Sequence, residues 1–304
     1  MTRILITGAS GLLGAALSAE AASRHTVTRV CHRHPTVYPG TEMVQADLTQ
    51  VGELDHVLGD AKPDWVVHCA AATDVDRCEL EPDWARRLNR DLPSALAKKV
   101  RAMGARLVHI STDAVFNGEA GPYDEQDRPD PINVYARTKW EAEVAVAEAL
   151  PSSLIVRTNF YGWNVQPKLS LAEWFLQRLR TGLPCPGFVD VTAAPLLAND
   201  LARILIGMVE RACAGVYHVV SRECVSKFEF GRRVASTFGL DPGRIQPVQV
   251  EEAGLRARRA KQLCLRVDKL EAELGRRLPD IQDGLARFRA LGESGFAERF
   301  AHAP

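Results

Sequence analysis

The chain has 304 residues, and its 38 lysines and arginines balance 38 aspartates and glutamates. A chain of this length can bury a substantial core and has room for two lobes, while its balanced charge gives no global attraction to nucleic acid or to an anionic membrane. A small-molecule partner is therefore favoured. We expect a cytoplasmic protein, because a strand-like run follows the first residues without a signal peptide and no apolar run is long enough to cross a bilayer.

Cysteine and histidine spacings favour neither a metal site nor a disulfide framework. The seven cysteines are odd in number and form no Cys-x-x-Cys pair, and the eight histidines form no His-x-x-x-His pair. We therefore expect reduced thiols and no tightly bound metal.

Short β-branched runs alternate with segments of helix length, and the runs are apolar on both faces. This rhythm predicts a doubly wound parallel sheet, a Rossmann-type α/β fold, followed by a smaller mixed lobe that closes over a substrate. We assign residues 1–162 and 189–220 to the Rossmann domain and residues 163–188 and 221–304 to the smaller lobe. The predicted strands are residues 3–7, 26–31, 42–45, 65–69, 106–110, 153–157 and 215–220.

The first predicted strand runs into a turn of the form Gly-x-x-Gly-x-x-Gly and then into an Ala/Leu-rich segment. Glycines at 8 and 11 permit a close backbone approach, and glycine 14 permits tight packing of a helix on the strand. The amino terminus of that helix can then face a pyrophosphate. Turn glycines without a ligand are the alternative, but their place after the first strand favours a dinucleotide site. Its predicted residues are Gly8, Ser10, Gly11, Leu12 and Leu13.

The end of the second strand favours NADPH, with NADH as the second candidate cofactor. An NAD site usually has a carboxylate there to bind the ribose 2′-hydroxyl, whereas this chain reads Val-Cys-His-Arg-His. Arg33, aided by His32, can instead complement a 2′-phosphate. A solvated surface arginine is the alternative.

The third and fourth strands end at the carboxyl edge of the sheet, where a cofactor crosses such folds. Small residues at 70–72 let the backbone approach the cofactor closely. For Asp47, capping of a following helix is an equal alternative. Asn89 can bond a strand backbone or face water, and we assign it no role. The residues predicted here to bind cofactor are Asp47, Leu48, Ala70, Ala71 and Ala72.

The fifth strand ends in Ser-Thr-Asp, and Tyr135 and Lys139 follow on a predicted helix. One helical turn separates the two residues, so they lie on one face. A nearby ammonium lowers the pKa of a tyrosine, which makes Tyr135 a usable acid or base, and Thr112 can hold the substrate oxygen. An exposed helical pair is the alternative. Of the five tyrosines, however, only this one has a lysine four residues on.

Together these motifs resemble the extended short-chain dehydrogenases, and within them the dTDP-4-dehydrorhamnose reductase-like branch. The resemblance covers nearly the whole chain and is strongest up to residue 162. It also includes residues 67–76, 157–162, 215–219, 268–270 and 278–284.

This resemblance implies an NADPH-dependent reductase that passes a hydride to the keto group of a nucleotide-linked 4-keto sugar. It implies that Thr112, Tyr135 and Lys139 form the catalytic triad, with Tyr135 and Lys139 also contacting the cofactor. Asn159 would lie near the substrate's diphosphate. The substrate-binding residues that we carry over are Thr73, Asp113 and Asn159.

One departure from the family pattern and two rival interpretations stay open. The family commonly has tyrosine after Ser-Thr-Asp, whereas this chain has Ala114, so we expect a different pocket beside the nicotinamide. An NADP-binding regulatory subunit is one rival, and the intact catalytic set argues against it. A nucleotide-sugar epimerase or dehydratase is the other, and the missing carboxylate after the second strand argues against it. Helical segments 91–101 and 140–150 can form a homodimer interface or simply cover the sheet.

Overall fold

Strands and helices alternate along the described chain, residues 1–302 of the computed structural model. The strands are β1 (Arg3–Thr7), β2 (Thr26–Cys31), β3 (Thr36–Val37), β4 (Glu42–Gln45), β5 (Trp65–His68), β6 (Arg106–Ile110), β7 (Leu154–Arg157), β8 (Phe160–Tyr161), β9 (Cys185–Phe188), β10 (Thr192–Ala193), β11 (Leu196–Leu197), β12 (Gly215–His218), β13 (Val225–Ser226), β14 (Ile245–Val248), β15 (Gln262–Leu263) and β16 (Ala301–His302). The helices are α1 (Leu12–Ala21), α2 (Glu53–Ala61), α3 (Val75–Leu80), α4 (Pro82–Arg86), α5 (Leu92–Ala102), α6 (Val134–Ala149), α7 (Leu171–Thr181), α8 (Ala198–Glu210), α9 (Lys227–Thr237), α10 (Asp268–Leu274) and α11 (Ile281–Glu293).

Seven strands form one parallel sheet in the order β12-β7-β6-β5-β1-β2-β4. They are the seven predicted strands; four have the predicted bounds and three are one or two residues shorter. From β1, the chain extends the sheet through β2 and β4 on one side and through β5 on the other. This reversal places a crevice at the carboxyl ends of β1 and β5, where such sheets bind their ligands.

Helices cover both faces of the sheet. In β1, Ile4 and Ile6 pack into a core shared with α1 and α8, whereas Leu5 packs into a second core with α2 and α5. Strands enclosed on both faces need apolar side chains at nearly every position, which explains the fully buried run in β5. The doubly wound α/β fold predicted from the sequence is confirmed.

A third core lies in the C-terminal lobe, among α7, α9 and α11. Phe175, Phe230 and Phe288 are almost fully buried in it, and Tyr161 meets two of these rings edge-on. A small mixed sheet, β13-β10-β15, leads into α9. The domain boundaries that we placed at residues 162, 188 and 220 stay predictions.

The expectation that all thiols are reduced is wrong, because Cys224 and Cys264 form a disulfide. These residues are 40 positions apart, but β13 and β15 both pair with β10, which brings their Cα atoms to 5.6 Å. Spacing along the chain cannot reveal such a pair, because it depends on the pairing of distant short strands. The other five cysteines are free.

Candidate active site

The turn between β1 and α1 brings backbone amides to the carboxyl edge of the sheet. Gly8 has a φ of +62°, and a side chain there would lie 2.8 Å from the backbone nitrogen of Ala70. A side chain at Gly14 would overlap the carbonyl of Gly8, so the first turn of α1 packs closely only without one. Gly11 caps α1 without a side-chain hydrogen bond. The first amides of α1 are thus available to an anion, and this cradle fits a dinucleotide pyrophosphate.

The end of β2 lies beside this turn, because the amide of Ala9 donates to the carbonyl of Val30 at 3.0 Å. Arg33 is exposed at this edge. His32 Nε2 lies 3.7 Å from the carboxylate of Asp47. The structure therefore brings His32 and Arg33, predicted at the ribose 2′-phosphate, and Asp47, predicted at the carboxyl edge of the sheet, to the same edge as the glycine-rich turn.

Asp47 also caps a local turn. Its carboxylate accepts hydrogen bonds from the amide and hydroxyl of Thr49, at 3.1 and 2.7 Å, and from Gln50 at 3.2 Å. Burial favours a raised pKa, but these hydrogen bonds outweigh it and hold the pKa of Asp47 below its ordinary value. Asp47 caps this turn and not α2, whose N-cap residue is Gly52, so the helix-capping alternative is wrong. Cofactor binding by Asp47 stays a prediction.

A buried arginine that sequence analysis missed holds the segment after β2. Arg29 is fully buried and donates hydrogen bonds to the hydroxyls of Ser18 and Thr36 and to the carbonyl of Ala9. Its guanidinium also lies 5.5 Å from the ring centre of Phe300. It thereby ties α1, the glycine-rich turn and the C-terminal segment together. A lone charge inside an apolar, strand-like run is the sequence signal that could have found it.

The crevice between β1 and β5 is closed at its base by polar contacts. Thr7 Oγ1 and His68 Nδ1 are hydrogen-bonded at 2.8 Å, and the amide of Ala70 donates to Thr7 at 3.3 Å. Ala70 and Ala71 are partly exposed at this edge, whereas Ala72 is buried. The predicted close approach of a cofactor is therefore sterically feasible at Ala70 and Ala71.

Asn89 is the second residue that sequence analysis left without a role. It lies on a π-helical turn, Arg87–Asp91, between α4 and α5, and is almost fully buried. Its side chain accepts from the amide of Ala72 at 2.8 Å and donates to the carbonyl of Ala72 at 3.0 Å and to Thr138 at 3.3 Å. Asn89 thus holds the loop after β5 against α6. π-helical turns often occur at functional sites.

Two leucines predicted at the cofactor site face away from it. Leu13 packs in the core beneath α1, and Leu48 packs in the core on the opposite face of the sheet. A cofactor could therefore meet only their backbone. Ser10 and Leu12 remain at the glycine-rich turn, where the hydroxyl of Ser10 accepts a hydrogen bond from Gln166 at 2.8 Å.

The predicted catalytic residues converge at the end of β6 and the start of α6. Asn133 caps α6 by accepting from the amide of Ala136 at 2.8 Å, which places Tyr135 in the first turn. Lys139, one turn on, donates to the carbonyl of Ile110 at 2.6 Å. The structure brings Tyr135 and Lys139 to the strand end that carries Thr112.

The acid–base properties of this group differ from our expectation. Burial raises the pKa of Tyr135 to about 12, and a hydrogen bond with Thr112 offsets it only in part. Burial also lowers the pKa of Lys139 to about 8, against the attraction of Glu143. The expected lowering of the tyrosine pKa by the lysine is wrong here, because the ammonium is held by the carbonyl of Ile110 and burial dominates. A neutral phenol results, which suits a proton donor.

A buried ion pair supports these residues from below. Arg157, at the end of β7, and Glu143, on α6, are each 4% exposed, which leaves their charges without water, and they pair at 2.8 Å. Glu143 also accepts from the hydroxyl of Ser111. These contacts hold α6 against the ends of β6 and β7. Removing either partner would leave a buried charge without a counter-charge, which is strongly destabilising.

The predicted substrate side forms a second polar group. Asn159 donates to the carboxylate of Asp113 at 2.8 Å, and Thr112 donates to it at 3.1 Å. Burial raises the pKa of Asp113 to about 6. Ala114 is partly buried and its amide donates to Thr112 at 3.2 Å. The amide side chain of Asn159 is thus used to hold Asp113, and its contact with a substrate diphosphate stays a prediction.

Thr73 lies at the outer end of the same edge. It is exposed, and its hydroxyl accepts a hydrogen bond from Lys168 at 2.7 Å. Together with the contact between Gln166 and Ser10, this bond carries a loop of the smaller lobe across the predicted cofactor edge.

An open cavity of about 430 Å³ lies between the segment after β6 and the loop before β15, and none of the predicted catalytic residues lines it. Ile132, which precedes the cap of α6, lines it together with residues of the loop before β15. In residues 1–302 no group of three or more side chains suits a metal ion, and none of the helices there is long and apolar enough to cross a membrane.

Comparison with known proteins places the chain in a family. The sequence model of the RmlD substrate binding domain matches residues 1–292. The chain belongs to this family. The chain is 33% identical to a dTDP-4-dehydrorhamnose reductase of Sinorhizobium fredii and 32% identical to a probable low-salt glycan biosynthesis reductase, Agl14, of Haloferax volcanii. Each match covers 94% of this chain and 96% of the relative.

The fold matches solved members of the same group. A crystal structure of dTDP-4-dehydrorhamnose reductase from Bacillus anthracis in complex with NADP superimposes with a TM-score of 0.84 at 28% identity, covering 95% of this chain and 99% of that one.

The chain is also 30% identical to methionine adenosyltransferase 2 subunit beta of Mus musculus, over 91% of this chain and 84% of that protein. The resemblance predicted from the sequence is confirmed.

Proposed function

We propose that this protein of the RmlD family is an NADPH-dependent reductase of nucleotide-linked 4-keto sugars. The observation that carries the proposal is the convergence of Thr112, Tyr135 and Lys139 at the end of β6, on the same sheet as the glycine-rich turn after β1. The matching reductases and the NADP-bound structure from Bacillus anthracis support the substrate class and the cofactor.

The residues divide the chemistry as follows. The amides of the glycine-rich turn would hold NADPH, with Arg33 at its 2′-phosphate, and the bound cofactor would supply the hydride to the carbonyl carbon. Tyr135, neutral at working pH, donates its proton to the oxygen of the reacting carbonyl. Thr112, whose hydroxyl donates to Asp113 in the structure, would turn that hydroxyl to the same oxygen and so fix its position. Lys139, one helical turn from Tyr135, donates to the carbonyl of Ile110 and would contact the bound cofactor, as the family resemblance implies.

The test is NADPH oxidation across a panel of 4-keto sugar nucleotides, the same free sugars and simple ketones. Binding energy from the nucleotide positions the ketone, so the nucleotide-linked sugar should be reduced far better than the free sugar. If the space left by Ala114 stays open, the preferred sugar should differ from dTDP-4-dehydrorhamnose or bind in another orientation; if a neighbouring side chain fills it, dTDP-4-dehydrorhamnose should be accepted. Turnover of simple ketones alone, with no gain from a nucleotide, would contradict the assignment.

An NADP-binding regulatory subunit is the second candidate function. The observation in its favour is the 30% identity to a protein named as a subunit of methionine adenosyltransferase 2. Tight NADPH binding without turnover of any ketone in the panel would support it. Retained turnover in the purified chain would exclude a purely regulatory role.

Two finer proposals concern location and assembly. We place the protein in the cytoplasm and keep a homodimer through residues 91–101 and 140–150 as a prediction. In the structure, Leu96 and Val100 of α5 and Val146 of α6 are buried against the sheet, so only the outer faces of α5 and α6 could serve a dimer. Sedimentation velocity on the purified protein tests the assembly.

A further inference from the structure

Lys227 stands where the smaller lobe meets the catalytic edge. It is the first residue of α9, and its amide donates to the carbonyl of Val191 at 2.9 Å. Ser226 caps the helix by accepting from the amide of Glu229 at 3.1 Å. These contacts fix the backbone of Lys227, so its side chain extends from a defined point.

The ammonium of Lys227 is partly enclosed and has no direct acceptor. It lies 5.5 Å from the ring centre of Phe188. In the part of the chain that the structure describes, the ammonium of Lys227 takes part in no salt bridge within 4.0 Å and in no hydrogen bond. The charges that act on it are Arg259, which repels it, and Asp113, which attracts it. Arg259, in contrast, is paired with Asp76 at 3.0 Å.

The carboxylate of Asp113 attracts the ammonium of Lys227 but forms no salt bridge with it. Its carboxylate is already engaged by Asn159 and Thr112, and burial weakens its tendency to ionise. Burial lowers the pKa of Lys227 as well. A desolvated ammonium with free donors gains most from an anionic acceptor, because charge-assisted hydrogen bonds are about twice as strong as neutral ones.

We propose that Lys227 is a specificity-determining residue that donates hydrogen bonds to anionic oxygens of the substrate. The inference rests on the proposed function and deepens it, because it assigns a negative charge to one group of the substrate. In a nucleotide-linked sugar, such oxygens belong either to the diphosphate or to a carboxylate on the sugar ring. Both sources share the same chemistry toward Lys227, and the experiment separates them.

The test compares Lys227→Met and Lys227→Arg with Lys98→Met, which removes an exposed lysine on α5. Loss of a charge-assisted bond should raise the KM of Lys227→Met for the preferred sugar nucleotide about 10- to 100-fold, with a smaller change in kcat. Lys227→Arg should retain most of the affinity, and the Kd for NADPH should stay unchanged in all three variants. Calorimetric titration of dTDP and UDP into the NADPH-bound protein identifies the source of the oxygens.

If the diphosphate is the acceptor, the affinity for these nucleotides falls in Lys227→Met by the same factor as the KM rises. If a sugar carboxylate is the acceptor, nucleotide affinity stays constant, and a preference of the wild type for carboxylated over neutral 4-keto sugars disappears in Lys227→Met.

Unchanged KM and unchanged nucleotide affinity in Lys227→Met would overturn the proposal. So would a loss that arginine does not rescue and that comes with a lowered Tm and weaker NADPH binding, because that pattern marks a structural role. If the wild type reduces no sugar nucleotide at all, the proposed function fails by itself. Equal dTDP affinity in wild type and Lys227→Met would then overturn the role of Lys227 as well.

Discussion

The Rossmann domain and the C-terminal lobe are encoded by different kinds of sequence signal. Most strands of the large sheet are continuous, mainly apolar runs. Thr112 lies just after β6, and Tyr135 and Lys139 are one helical turn apart on α6. The small sheet of the lobe is assembled from two-residue strands, β10, β13 and β15, that lie far apart in the chain. The catalytic residues are therefore signalled by residues close to them in sequence, whereas the lobe that we expect to select the substrate depends on contacts between residues far apart in the chain.

The largest expected effect tests the local half of this comparison. Tyr135→Phe removes one hydroxyl, so NADPH affinity should survive while kcat on the preferred sugar nucleotide falls by roughly 10²–10⁴-fold, the usual contribution of a positioned acid. Tyr38→Phe, a change on the partly buried ring beside Phe300, is the matched control and should leave kcat unaltered. Near-normal turnover of Tyr135→Phe would show that another group is the acid.

The large sheet and the catalytic edge were predictable from sequence because their signals are local. The bounds of the strands followed from the apolar runs. Thr112 was predicted from the end of the fifth strand, and Tyr135 and Lys139 were predicted from their spacing of one helical turn. The polar groups that support these residues were not predictable in the same way. Asn89 reaches Ala72 across the fold, and Glu143 pairs with a residue on a different element. Such contacts need the packed structure, because neither partner has a neighbour in sequence that signals the pair.

The pKa of Tyr135 was missed for a related reason. Spacing shows that Tyr135 and Lys139 share a helical face, but it does not show how deeply the site is buried or that a carbonyl of β6 takes the ammonium. Desolvation then decides the direction of both pKa shifts.

Breaking the disulfide between Cys224 and Cys264 tests how far the C-terminal lobe depends on contacts between residues distant in the chain. Reduction, or the double change Cys224→Ser and Cys264→Ser, should lower the free energy of unfolding by about 2–4 kcal/mol, because the bond closes a long loop in the unfolded chain. Because Cys224 precedes α9 by three residues, the KM for the sugar nucleotide should rise while NADPH affinity is retained. Denaturant unfolding with and without reductant measures the first effect, and the double variant should not respond to reductant. An equal loss of NADPH affinity would show that the two regions are not separable.

A smaller effect is expected at Asp113, whose charge acts on Lys227 of the other region. The pKa of Asp113 is raised from 3.8 to about 6 in the folded protein, so the fold favours the protonated form. Protonation of Asp113 therefore adds its full contribution to the free energy of unfolding below about pH 4, and this contribution is lost as the pH rises through about 6. Asp113→Asn lacks this loss, so its stability relative to wild type should increase between pH 4 and pH 7 by up to about 3 kcal/mol. Denaturant titrations across this range measure the change, with exposed Glu252→Gln as control; a constant difference would contradict the raised pKa.

The smallest expected effect concerns Arg33 and again tests a local signal. Arg33 is exposed at the end of β2, so its contact with a 2′-phosphate would be partly screened by water and salt. We expect Arg33→Ala to weaken NADPH binding about tenfold while NADH binding stays nearly constant, which removes most of the preference between the two cofactors. Fluorescence titrations at low and high salt measure both affinities, and the wild-type preference should shrink as salt increases. Arg128→Ala, at another exposed arginine, should leave the preference intact. An unchanged ratio in Arg33→Ala would mean that the cofactor is selected elsewhere, and Arg29, which holds the segment after β2 in place, would then become the residue to test.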